Sequence, residues 1–416
     1  MASARGKILV ACHDCDLLVQ AADRSGGAAK CPRCAAVLFR MGRDNLDQPI
    51  HLNIAGLVLF TIANIFPFLT FKMEGREQPS ILISGVFEFY DRGLWELSVI
   101  VFLFAIAIPL AKLLASLAVL VPLRLGLRPA YAARVFRLVE TLHPWAMTEV
   151  YLLGVMVAYV KLIDLATIEI GAGLLAFAAL IVIMAAAEAA IEPNAVWERI
   201  GPAQPPAAAP PDRRSVASCH ACAMVVQSTA PGASVAATCP RCGAHLHRRK
   251  SNSISRTWAL VITASVLYIP ANLYPVMTVI SFGSGEADTI LSGVVALAEA
   301  GMWPLALLVF FASVTVPMLK LIGLSFLLVS VQRQSRWRPK DRTALYRVIE
   351  SVGRWSMIDV FMLAIIVALV KLGSIATIEP GVGAVAFCGV VVITILASMS
   401  FDPRLIWDGA GRNNGR

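Results

Sequence analysis

The chain has 416 residues, 58% of them apolar without counting glycine and only 15% charged. Soluble domains run at roughly 45–50% apolar with glycine included and about 25% charged, so an ordinary soluble protein is excluded and a polytopic membrane protein is expected. The net charge of +9 does not argue for nucleic acid as a partner, because the basic residues lie between apolar stretches rather than along one face or tail.

Met1 to Val10 carry neither an apolar core nor a small-residue cleavage pattern, so no removed signal is expected and the first segment is expected to start in the cytoplasm. Residues 1–48 hold the quartet Cys12, Cys15, Cys31 and Cys34. The spacing C-x2-C-x15-C-x2-C is that of a zinc ribbon, in which two tight knuckles present four thiolates to one tetrahedral metal. Four thiolates leave no open position, so a structural zinc is expected; iron shares the ligand set, and a disulfide framework is opposed by a reducing cytoplasm. His13, inside the first knuckle, reads as a surface residue.

Residues 49–195 read as a four-helix transmembrane module with spans near 52–71, 94–123, 146–164 and 171–191. The basic residues Arg124, Arg128, Arg134 and Arg137 gather in one connection, which places it in the cytoplasm. The segment from Ala130 to His143 mixes Arg with large apolar residues at helical spacing and is expected along the inner surface. Residues 196–214 form a Pro/Ala-rich linker, and residues 215–250 a second ribbon with Cys219, Cys222, Cys239 and Cys242. Gly243 follows its last ligand where a knuckle can need a positive φ, a position held by Ala35 in the first ribbon. Residues 251–408 repeat the four spans, near 257–281, 302–331, 355–373 and 381–401, with a counterpart amphipathic segment from Thr343 to Arg354, and residues 409–416 are a tail.

The two halves are duplicates at an offset of about 208 residues. Ala63-Asn64-Ile65-Phe66-Pro67 returns as Ala271-Asn272-Leu273-Tyr274-Pro275, Pro109 and Lys112 as Pro317 and Lys320, and Ala166-Thr167-Ile168-Glu169 as Ala376-Thr377-Ile378-Glu379. The fold class read from this is an all-α polytopic membrane protein with two tandem four-helix transmembrane modules, each preceded by a small four-cysteine zinc ribbon. Parallel repeats with even span numbers put both termini in the cytoplasm.

Lys112 and Lys320 lie deep in their spans, with about ten apolar residues, roughly 15 Å of helix, between Lys112 and the basic connection. Each is read either as satisfying the proline kink or pairing with a carboxylate, or as lining a cavity that meets an anionic group. Lys161, Lys371, Glu149 and Asp359 sit near span ends. Asp164 and Glu188 have no acidic counterpart in the other half, which sets the modules apart. Lys112, Lys320, Lys161, Lys371, Asp164, Glu149 and Asp359 are the candidate intramembrane lipid or proton site.

The two Cys quartets, each leading into four spans, together with the repeated A-N-[IL]-[FY]-P, Ser-Gly-Val, P-x-x-K and A-T-I-E elements, resemble the paraquat-inducible protein A family over nearly the whole chain. The resemblance implies a bacterial inner-membrane component that works with a periplasmic MCE-domain protein to move phospholipid. No phosphate-binding G-x-x-x-x-G-K-[ST] motif is present, and no nucleophile–base set recurs, so the chain is not expected to be an enzyme. The competing expectation is a non-transporting scaffold or metal-responsive regulator anchored by the spans.

Overall fold

A computed structural model describes residues 8–21, 28–40, 45–73, 76–146, 148–162, 167–202, 216–227, 238–247, 249–281, 284–299, 301–369 and 376–409. The first head consists of two hairpins, β1 (Ile8–Ala11) with β2 (Leu18–Ala21) and β3 (Ala28–Lys30) with β4 (Val37–Arg40). Then α1 (Asp47–Ile65) runs 19 residues and stops before Phe66, whose extended backbone is what the following Pro67 demands. β5 (Leu69–Met73) and β6 (Arg76–Ser80) follow as a hairpin, then α2 (Ser84–Asp91) and α3 (Trp95–Phe102). A π-helical turn, Leu103–Ala107, carries the chain into α4 (Ile108–Arg124).

The return path is broken. α5 (Ala132–Leu142) runs back along α4, with Tyr131 donating to the Ala118 carbonyl and His143 reaching Lys112. A 3-10 turn, His143–Trp145, then leads into α6 (Thr148–Leu162). β7 (Thr167–Ile170), α7 (Ala172–Ala190) and α8 (Pro193–Ile200) complete the first half. α8 enters the stretch expected as linker and buries Trp197 there.

The second half begins with the head strands β8 (Val216–Ser218) and β9 (Val225–Gln227). It then repeats the order: α9 (Ser253–Leu273), β10 (Met277–Ser281), β11 (Ser284–Asp288), α10 (Ile290–Glu299), α11 (Trp303–Phe310), a π turn (Phe311–Thr315), α12 (Val316–Gln332), α13 (Pro339–Val352), a 3-10 turn (Gly353–Met357), α14 (Ile358–Leu369), β12 (Ala376–Pro380), α15 (Val382–Ser400) and α16 (Leu405–Asp408).

The molecule is therefore mostly helical. Among the described residues six helices are long and apolar enough to cross a membrane: Asp47–Ile65, Trp95–Arg124, Ala172–Ala190 and their counterparts Ser253–Leu273, Trp303–Gln332 and Val382–Ser400. The spans expected at 146–164 and 355–373 differ from this. Their described helices, α6 and α14, have 15 and 12 residues, and the amphipathic helices before them pack inward rather than lying free on a surface. Phe136 and Val139 of α5, and Tyr346 and Ile349 of α13, are buried.

The other departure from an all-helical reading is a pair of three-stranded antiparallel sheets, in the orders β6-β5-β7 and β11-β10-β12. They sit at the end of the bundle opposite the heads. The repeated proline motif and the repeated A-T-I-E element thus meet: β7 pairs with the strand that follows Pro67, and β12 with the strand that follows Pro275. Gly171 donates to the Phe68 carbonyl, and a Cβ on it would lie 2.0 Å from the Pro67 oxygen. Gly381 stands in the same relation to Pro275 at 2.2 Å, so only glycine permits this approach.

The core is centred on α6 and α14, which pack face to face. Tyr151 and Phe361 meet edge-on at 5.2 Å, and residues Met357 to Val367 are buried apart from Asp359, whose side chain is outside the description.

Candidate functional site

Each Cys quartet gathers four buried thiols whose sulfurs all lie within 4.8 Å of one another. Cys12–Cys34 and Cys15–Cys31 are 3.5 Å apart; Cys219–Cys242 and Cys222–Cys239 are 3.4 and 3.5 Å apart. A metal about 2.3 Å from each sulfur sets tetrahedral edges of roughly 3.8 Å, so the donor set fits one ion with small adjustment. Each knuckle is closed by paired backbone bonds. Cys12 donates to the Leu17 carbonyl and Asp16 to that of Cys12, and the pattern recurs at Cys31, Cys219 and Cys239.

All four knuckles place the residue after the second cysteine at positive φ: Asp16 at 59°, Ala35 at 59°, Ala223 at 53° and Gly243 at 69°. Gly243 adopts this freely and the others bear strain. In each head one thiol is primed: the Cys15 thiol, hydrogen-bonding Cys12, pulls it down to about 5, and Cys222 pulls Cys219 down to about 4. Burial pushes Cys34 up to about 11 and Cys242 up to about 12. The first thiolate forms readily and further ones are opposed until a cation offsets them. His13 and His220 are exposed and outside the quartets.

The heads are docked crosswise. The first head packs on the second module: Asp14 is paired with Arg347 of α13, whose Nη2 also donates to the Cys34 carbonyl at 3.0 Å. Arg404 donates to the His13 carbonyl, Arg249 bridges Asp16 and Asp408, and Arg33 lies 4.3 Å over the Trp407 ring. The second head packs on the first module, where its cysteines share a buried cluster with Leu120, Phe136 and Trp197. Arg241, the counterpart of Arg33, donates to the Pro202 carbonyl at 2.8 Å just beyond α8.

Deep in the bundle, the two repeated lysines have different surroundings. Lys112, buried on α4, is paired with Glu188 of α7 and stands 3.2 Å from Nδ1 of His143. Lys320, 1% exposed on α12, donates to the Gly353 carbonyl at 2.9 Å, Ser356 Oγ at 3.0 Å and Thr394 Oγ1 at 3.3 Å. Both sit one turn beyond a proline that follows the π turn, where Ile108 and Val316 donate to the carbonyls five residues back.

The remaining candidates are scattered. Glu149 is exposed in the first turn of α6, Lys161 belongs to its last turn and Asp359 to the first turn of α14. Asp164 and Lys371 lie outside the described residues. His143, absent from the expected set, joins the Lys112 site because the broken third passage turns there. Its only sequence signal is its position in a His-Pro pair at the end of the amphipathic segment.

At the sheet end, the second module has an open recess lined by Val276, Met277, Ile290, Met362 and Phe387, with Asp288 and Thr289 at its edge and Ser313 of the π turn on its wall. The same place in the first module is filled by Phe68, stacked edge-on with Tyr151 and Phe177. Val276 stands where Phe68 does in the repeat. α2 also leans on α14, where a Cβ at Gly85 would meet the Ala364 oxygen at 3.0 Å, whereas Gly293 has open space around it.

A family model described as paraquat-inducible protein A matches residues 46–201 and again 254–410. Intermembrane transport protein PqiA of Escherichia coli strain K12 is 32% identical over 406 residues, 96% of this chain and 95% of that protein. Lipophilic envelope-spanning tunnel protein A of the same organism is 32% identical over 410 residues, 97% of this chain and 92% of that protein. A probable intermembrane transport protein of Haemophilus influenzae is 27% identical over 403 residues, 96% and 95% of the two chains. No solved structure matches the chain.

Proposed function

The chain belongs to the paraquat-inducible protein A family, and on that premise we propose that it is the inner-membrane component of an MCE-type intermembrane lipid transport system, passing phospholipid between the inner membrane and a periplasmic MCE-domain tunnel. The observation that carries this is likeness along nearly the whole chain to proteins named for intermembrane transport and for an envelope-spanning tunnel. The open recess of the second module adds support, since its mostly apolar lining suits an acyl chain. The chain acts as a carrier or gate and not as an enzyme.

In this reading each broken helix pair, α5 with α6 and α13 with α14, completes a crossing, so each module crosses four times. Broken helices are tolerated at membrane depth where protein buries the freed backbone, and transporters place binding groups at such breaks. The heads and both termini face the cytoplasm, and the sheets face the periplasm towards the MCE partner. Each head holds one structural zinc. Lys112 and Lys320 tie the breaks to the long helices, within reach of the headgroup of a lipid whose tails occupy the bundle.

Purified full-length protein analysed by mass spectrometry tests the cargo. Co-isolated phospholipid is expected, reduced several-fold when the cavity is filled by Val276→Phe at unchanged yield and metal content. Protein that carries no phospholipid from native membranes contradicts the reading.

A further inference from the structure

His143 Nδ1 lies 3.2 Å from Lys112 Nζ and 3.3 Å from Glu188 Oε2. A lysine ammonium has protons only to donate, and a carboxylate only lone pairs to receive them. The ring nitrogen therefore accepts from Lys112 while it is bare and donates to Glu188 once it carries a proton. It cannot do both.

The geometry points to a proton-binding site in the first module, His143 with Lys112 and Glu188, whose occupancy decides whether the turn between α5 and α6 is tied to α4 or to α7. In the empty state the imidazole carries its proton on Nε2 and Lys112 donates to Nδ1. One proton taken from water adds to Nδ1 and gives an imidazolium that donates to Glu188 and repels Lys112. The cluster goes from no net charge to +1, with no other bond made or broken.

Access favours this assignment. The Lys112 side chain is 7% exposed, while those of His143 and Glu188 are 53% and 35% exposed, so the fixed charge is buried and the proton acceptor is open to the surroundings of the turn. Histidine is the side chain whose ordinary titration falls between about pH 5 and 8. Lys112 faces it from α4, Glu188 from α7, and Glu140, one turn earlier on α5, acts on it electrostatically. α1 packs against α4 and α7 but brings only Asp47 and His51, at its head end, and Glu149 of α6 is exposed.

The second module has no such ring. Gly353 occupies the place of His143 and Ser398 that of Glu188 in the repeat, and Lys320 is held by a carbonyl and two hydroxyls. These three groups do not titrate in that range. The inference goes beyond lipid transfer and does not depend on the cargo.

The test is histidine-selective isotope labelling of the full-length protein in lipid nanodiscs, read by NMR from pH 5 to 8. The His143 signals are identified as those lost in His143→Gln. The wild type supplies the reference curve. Glu188→Gln removes the acceptor of the charged form, and its titration should need more acid, by on the order of one pH unit. Lys112→Met removes the repelling charge and should move it the opposite way by a similar amount. Opposite shifts of one resonance are a signature that a packing role does not produce, and the expected direction can still be read in one variant if the other fails to fold. A His143 signal that does not titrate, or that stays in place in both variants or shifts the same way in both, overturns the proposal.

Discussion

Asp14 is 6% exposed at its side chain and has Arg347, from a helix more than 300 residues away in sequence, as its partner. A buried pair of this kind adds little net stability while intact, but removing one partner strands the other charge at a cost of about 3–5 kcal/mol. Arg347→Ala should therefore loosen the first head from the second module, read as faster trypsin cleavage within the first head with cleavage within the second head unchanged. Equal protection of both heads in the variant would contradict the docking. The lysines give a paired contrast. Lys112→Ala leaves Glu188 with only His143 beside it in an apolar span, whereas Lys320→Ala leaves hydroxyls that already donate elsewhere, Ser356 to the Gly353 carbonyl and Thr394 to that of Val391. The first should lower the thermal midpoint in detergent more than the second, and adding Glu188→Gln should recover part of the loss. The cysteine quartets were legible in the sequence because knuckle spacing is local. The partner of Lys112 was not, since it lies 76 residues away, although Glu188 stood out as an acid that its repeat lacks.

At the scale of elements, the repeat and the six long apolar helices follow from composition and period, which need only one stretch of chain. The third passages do not. A helix, a 3-10 turn and a second helix read as one amphipathic segment followed by one apolar segment, and only packing against α4 or α12 shows that the first enters the bundle. The sheets escaped notice because their strands are short and lie beside span ends where apolar runs blur the alternation. In the proposed reading the heads are separate folding units held by metal. Two zinc ions per chain are expected by elemental analysis, and Cys31→Ser or Cys239→Ser should each leave one. Loss of a thiolate removes much of the roughly 10–16 kcal/mol that metal contributes to such a site, so the affected head should unfold while the spans still insert. Retention of two ions in either variant would refute the assignment of four thiolates to each metal.

The whole molecule is a pseudo-twofold pair of modules around α6 and α14, closed at one end by heads that each dock on the half to which the repeat does not assign them. No sequence pattern announces that exchange; it rests on contacts such as Arg33 over Trp407 and Arg241 at Pro202. It ties the start of the chain to its end. Orientation is tested by single cysteine labels in a background where other accessible thiols are blocked. Positions Ser284 and Glu77 should react from the periplasm and positions Gln334 and Pro206 only after the membrane is opened; the reverse pattern would invert the heads and the sheets together. The central claim, lipid passage, is tested most directly with vesicles containing the full-length protein and a fluorescent phospholipid, mixed with a periplasmic MCE-domain protein of the same organism. The account predicts transfer of labelled lipid to that protein, lost in Val276→Phe and in the Lys112→Ala, Lys320→Ala double variant at matched protein level. Transfer at the same rate from vesicles lacking the protein, or unimpaired transfer with both variants, would contradict it.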